Sequence, residues 1–167
     1  MNEYEKLVPV ECRSLVEGAV NEARRNMARV NRLAMVALVG NFDSNEFAVL
    51  LLEGSGSKQD AADALAKFAR SKDADFILHI SEMYMVSTTA KTDAELRELE
   101  KHANKVGVKN MPGNIEGVCF QLETGAGHFL AFGEFSKTNG RKTFGAVEFK
   151  YMPGFRGRFG NLLPKTK

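Results

Sequence analysis

ADFILHISEMYMV, residues 74–86, is the run whose reading decides the fold. At the two-residue period of a β-strand, Phe76, Leu78, Ile80, Glu82, Tyr84 and Val86 fall on one side. Ile77, His79, Ser81, Met83 and Met85 fall on the other. Both rows are mainly apolar, the pattern of a central strand covered on each face rather than of a half-solvated edge. Glu82 ends the apolar part of its row. A carboxylate there must be paired, protonated or turned into a cavity, because an unpaired buried charge is too costly to keep. Glu82, with Tyr84 beside it, is therefore the first candidate site.

Upstream of this strand, Cys12, Val16, Ala19, Ala23, Met27 and Val30 recur at helical spacing with charged residues between them. The spacing predicts an amphipathic helix over 10–31. Two apolar runs, 33–39 and 47–52, are joined by Gly40-Asn41-Phe42-Asp43-Ser44-Asn45, a turn-rich link that predicts an antiparallel hairpin. Gly54-Ser55-Gly56-Ser57 opens a second helix, with Ser57 and Asp60 spaced as a capping box.

Downstream, Thr92-Asp93-Ala94-Glu95 is another capping box, and Leu96, Leu99, Ala103 and Val106 mark one face of a third helix that stops at Gly107. A loop over 109–114 leads to three strands, expected over 115–123, 128–135 and 143–150. Thr124-Gly125-Ala126-Gly127 and Lys137-Thr138-Asn139-Gly140 read as hairpin links, the second with the Asn-Gly signal of a type I′ turn. The order α-β-β-α-β-α-β-β-β predicts one α+β domain over 1–167, a mixed and largely antiparallel sheet of about six strands with three helices packed on it. From 151 to 167 glycine, proline and arginine predominate, which reads as an irregular basic tail packed on the body.

The 44% hydrophobic and 26% charged fractions of the 167 residues are those of a globular domain. No window is apolar for long enough to span a membrane, and the first residues, MNEYEKLVPVE, lack the pattern of a signal peptide. Cys12 and Cys119 fall within a helical and a strand pattern, which predicts buried thiols and a cytoplasmic protein without a disulfide framework. The net charge of +2 is unevenly spread: Arg141–Lys167 carries +6 and the rest −4. Such a basic end can meet nucleic acid or an acidic partner.

Motifs with a defined chemistry are scarce. The glycine-rich turn at Gly54–Lys58 has Gln59 where a dinucleotide fingerprint needs its third glycine, and it does not match a phosphate-binding loop, so an ordinary strand-to-helix turn is expected. His79, His102 and His128 have no metal-ligand spacing, and the cysteines have no histidine near them in sequence. His79 and Ser81 share a strand face, where the plain expectation is a histidine donating to a nearby carbonyl. Neither a metal nor a cofactor is expected.

Arg156 and Arg158 are the candidate partners for Glu82. A guanidinium would hold the carboxylate ionised in a structural pair, with Arg158 the preferred donor. An unpaired Glu82 would instead have a raised pKa and could act as a general acid or base. Phe155, Phe159, Leu162 and Leu163, interleaved with the arginines, read as a strap over the core; the alternative use of such a pattern is to stack and neutralise single-stranded nucleic acid.

Two stretches carry a family resemblance. Ala74-Asp75 through Ser81-Glu82-Met83-Tyr84, and Gly157-Arg158-Phe159-Gly160-Asn161-Leu162-Leu163-Pro164, resemble small uncharacterised bacterial and phage-associated proteins. Those have an Ala-Asp…Glu-x-Trp strand and a Gly-Arg-Phe-x-x-Leu-Leu-Pro tail. VCFQLET, residues 118–124, sits in similar order between the two, and Tyr84 stands where the family has tryptophan. The resemblance implies a shared architecture and no particular activity.

The sequence thus leads to a cytoplasmic accessory protein that acts by binding, with a protein partner preferred and membranes excluded. The alternatives are a small enzyme using Glu82 in a pocket near the basic tail, and a nucleic-acid binder using Arg141–Lys167. No residue is assigned a catalytic role.

Overall fold

The alternation in 74–86 is realised as an 11-residue strand, Phe76–Val86, in the interior of a six-stranded sheet. The computed structural model describes residues 1–44, 46–54, 56–86 and 91–164. Its helices are α1 (Glu3–Leu7), α2 (Val10–Val30), α3 (Lys58–Ser71) and α4 (Asp93–Val106). Its strands are β1 (Val36–Gly40), β2 (Phe47–Leu51), β3 (Phe76–Val86), β4 (Asn114–Thr124), β5 (Gly127–Glu134), β6 (Ser136–Thr138), β7 (Arg141–Thr143) and β8 (Lys150–Tyr151). The main sheet has the order β2-β1-β3-β4-β5-β8 with every pairing antiparallel, and β6 and β7 form a separate ribbon. This is an α+β fold. Asn45, Ser55 and residues 165–167 of the basic tail lie outside the described residues.

The two rows of β3 serve two cores. Phe76, Leu78 and Ile80 meet Val118, Phe120, Leu122 and Phe129 beneath Cys12, Val16, Val20, Ala23 and Met27 of α2. On the opposite face, Ile77 joins Ala37 and Val39 beneath Ala61, Leu65 and Ala69 of α3, with Phe159, Leu162 and Leu163 from the carboxyl-terminal segment packed against them. Leu78 and Phe120 are wholly buried, and each such side chain contributes about 1.5–3 kcal/mol over its exposed state.

Local signals account for the element ends. Ser57 and Asp60 form the reciprocal capping box at the start of α3, which leaves the glycine-rich turn with Asp60's carboxylate on the Ser57 amide, 3.0 Å away. At α4, Thr92 accepts from the Glu95 amide, while Glu95 turns its own carboxylate to the Lys91 amide instead of closing the box. Asn139 and Gly140 both have positive φ, as a type I′ turn requires, and they close the β6–β7 ribbon. The short α1, missed above, carries its own capping box in Asn2 and Glu5.

The strand expected over 143–150 is corrected. Only its ends pair, as β7 and β8, and 144–149 is irregular. Arg24 of α2 takes up the carbonyls of Phe144 and Gly145, at 3.4 and 2.6 Å, and lies over the Phe144 ring. The Phe144 ring presses on Gly133, where a Cβ would sit 2.9 Å from it. Side-chain donors from a helix thus replace ladder hydrogen bonds here.

Candidate functional site

Glu82 lies on the α2 side of the sheet, partly buried, and its cation is Lys142 of β7. Lys142 Nζ is 3.5 Å from Glu82 Oε1 and 3.2 Å from Glu116 Oε1, while Lys137 Nζ reaches Glu116 Oε2 at 2.6 Å. Asn31 sets this geometry. It caps α2 in the left-handed conformation, donates to the Gly140 carbonyl at 2.9 Å and accepts from the Lys142 amide at 2.8 Å, so the ribbon is pinned to the helix end. The hydrogen bond from Lys137 is the main cause that holds Glu116 below the usual carboxylate range. Burial works against the charge on Lys142, but Glu116 and Glu82 outweigh it and raise its pKa. Tyr84 continues the row, opposite Glu116 across β4, with the Lys109 ammonium 5.9 Å from its ring centre.

The pairing of Glu82 with Arg158 is corrected. Arg156 and Arg158 are both exposed, and the segment that carries them crosses the other face of the sheet. There Phe159 stacks on His79 at 4.0 Å, and His79 belongs to the row of β3 opposite to Glu82's. A pocket shared by Glu82 and the tail is ruled out by the same alternation. A double-mutant cycle reads this directly. Glu82→Gln and Lys142→Met should couple by about 0.5–2 kcal/mol in denaturant melts, the range for a long, partly buried pair. Glu82→Gln and Arg158→Met should add without coupling; the reverse pattern would restore the arginine pair.

The tail has a carboxylate of its own. Glu123, buried on β4, accepts from the Leu162 and Leu163 amides at 2.9 and 3.1 Å, and His128 Nε2 accepts from the Asn161 amide at 3.1 Å. The nitrogen that accepts is unprotonated, so the 3.9 Å approach of His128 to Glu123 is not an ion pair while that bond stands. Among the described residues His79 donates to no carbonyl. Neither of its ring nitrogens, nor Oε1 of the facing Gln121, has a hydrogen-bond partner among the described residues. Burial lowers the His79 pKa to about 4 and raises the thiols of Cys12 and Cys119 to about 12 and about 11. Both thiols are free, buried and on opposite sides of the sheet.

A further concave feature lies elsewhere, one that the sequence does not announce. A groove of about 800 Å³ runs between α2 and the β1–β2 hairpin, lined by Leu15, Gly18, Val30, Leu38, Phe47 and Val49 among others. Phe47, Val49 and Leu51 point to this side of β2 and are 50%, 60% and 64% exposed. No alternation in the sequence announces this, since FAVLL is apolar at every position and reads only as a hairpin strand; the half-buried Ala48 and Leu50 take the other face. Glu11, Glu22, Arg29 and Arg32 rim the groove.

Among the described residues no group of three or more His, Cys, Asp or Glu converges on a possible metal position, and no helix is long and apolar enough to cross a membrane. Comparison of the chain with family models, with curated proteins and with solved structures finds no match.

Proposed function

We propose that this is a cytoplasmic accessory protein, of the bacterial and phage-associated kind its strand and tail resemble, that acts by binding another protein. The observation that carries the reading is the groove between α2 and β2. Three large apolar side chains stand half or more exposed along one strand, next to an apolar helix face, and charged residues rim them. An apolar floor with a charged rim suits a protein segment with an apolar ridge and charged flanks. Glu82, by contrast, has its charge balanced by lysine, the arrangement of a structural network.

Gly18 provides the test, because a Cβ there meets nothing within 4 Å and points into open space beside the groove. Gly18→Glu keeps α2 intact, since glycine is the poorer helix former by about 0.5–1 kcal/mol, and sets a charge in the groove. A protein cross-linked to the wild type in its own cells, and then shown with purified components to bind it, should be lost from Gly18→Glu and kept by Arg156→Ala/Arg158→Ala. Retention by Gly18→Glu removes the groove reading. Salt-sensitive binding of single-stranded nucleic acid that depends on the two exposed arginines would instead favour the tail.

A further inference from the structure

We infer that β2 joins a second copy of this chain, edge to edge, so that one sheet continues through both molecules. The direction of the main chain along β2 carries the argument. Asn41 N donates to Glu46 O at 3.1 Å and Leu52 N to Met35 O at 2.8 Å. In the register of β1 with β2, these contacts make the even-numbered residues of β2 the ones bonded to β1. Phe47, Val49 and Leu51 therefore turn their N–H and C=O groups outward, and among the described residues no strand lies beyond β2. An edge of this kind is a template for pairing, and proteins that avoid pairing blunt it with proline, inward charges or a bulge. None of these interrupts FAVLL.

The occupant follows from the symmetry of the edge. Antiparallel pairing about Val49 sets Val49 against Val49 and Phe47 against Leu51, and every outward N–H and C=O meets a partner. The strand is thus complementary to itself, as a two-fold interface requires. Charge favours the same arrangement. The turn before β2 carries the exposed acids Asp43 and Glu46, while the far end of β2 lies beside Arg29 and Arg32, the latter bridged to Glu53 at 2.7 Å. Antiparallel pairing brings the acidic turn of each copy beside the arginines of the other, whereas parallel pairing would put like beside like. The two-fold axis stands perpendicular to the sheet, so both α2 helices lie on the same side. The apolar faces of the paired β2 strands then floor one trough between the helices. The inference does not rest on the proposed partner: the second copy uses the main-chain edge, and the partner uses the side-chain face.

Sedimentation velocity on the full chain, from about 1 to about 100 μM, tests it, since a strand-edge interface is expected at the small end of specific interfaces. A monomer–dimer equilibrium is expected. Val49→Pro should abolish it while keeping the fold by circular dichroism, because the lost N–H is one that β1 does not use. Val49→Lys should act in the same sense, and Asp43→Lys/Glu46→Lys should weaken the dimer at least about tenfold. Gly18→Glu should leave it unchanged, which separates failure of the groove from failure of the edge. A chain that stays monomeric throughout overturns the inference, as does a dimer that survives both Val49 variants. Should Val49→Pro fail to fold through the φ that proline imposes, Val49→Lys decides, and a dimer that survives it overturns the inference.

Discussion

Between about pH 6.5 and about pH 4 the folded state should lose roughly 3 kcal/mol of stability through His79 alone, and His79→Leu should not share the loss. The His79 ring is buried, stacked on Phe159, with both nitrogens unpartnered among the described residues. Desolvation lowers its pKa from 6.5 to about 4. In that window the unfolded chain takes up a proton and the folded chain does not, so stability rises with pH across it. The contribution is complete above the unfolded value, falls as pH drops and levels off below the folded value. The size follows from the two pKa values at about 1.4 kcal/mol per unit. The groups on the facing strand are Gln121, directly opposite, and Cys119 and Glu123 on either side of it. Denaturant melts of both proteins at half-unit steps of pH give the result. Stability curves that stay parallel would show that His79 is reached by solvent or paired in the fold.

His79 also marks what was legible in the sequence. Its position on a central strand followed from period-two alternation, which is local information. The hairpin before it, both capping serine and threonine residues and the Asn-Gly turn were legible for the same reason: each depends on residues close together in the sequence. The strand expected over 143–150 failed because its competitor is Arg24, some 120 residues away, and no local pattern announces a helix arginine that takes two carbonyls. The short α1 had a readable capping box in Asn2 and Glu5; only the brevity of the helix concealed it.

The candidate site divides along the same line. That Glu82 needs a cation was legible from its row. Which cation was not, because Lys142 reaches it only after Asn31 clamps the β6–β7 ribbon to the end of α2. The choice of Arg158 took the tail to lie on Glu82's face, and nothing local fixes the face a tail crosses. The real tail anchor, Glu123, is one residue from an apolar run and alternates with Leu122 and Phe120 onto the opposite side. The apolar run of β2 was visible too, but exposure is a property of what lies across the sheet, and only the fold shows which of its residues are left uncovered.

Glu123→Ala should release the carboxyl-terminal strap and cost about 3 kcal/mol, with trypsin cleavage at Arg156 and Arg158 accelerated. The carboxylate accepts from two consecutive amides, Leu162 and Leu163, and hydrogen bonds to a charged acceptor are worth about 1.5–3 kcal/mol each. Once free, the strap can give those amides to water, which caps the loss near the lower end and places it in undocking. Glu123→Gln should fall between, since its amide keeps one acceptor oxygen and offers a donor where an acceptor is needed. The strap also covers His79 through Phe159. Releasing it should admit water to that ring, bring its pKa back toward 6.5 and shrink the pH dependence in proportion. Glu123→Ala and His79→Leu should therefore be non-additive at about pH 5, where the wild-type loss is under way, and nearly additive at pH 8. Equal additivity at both values, with unchanged cleavage at the arginines, would mean that Phe159 holds the strap in place without Glu123.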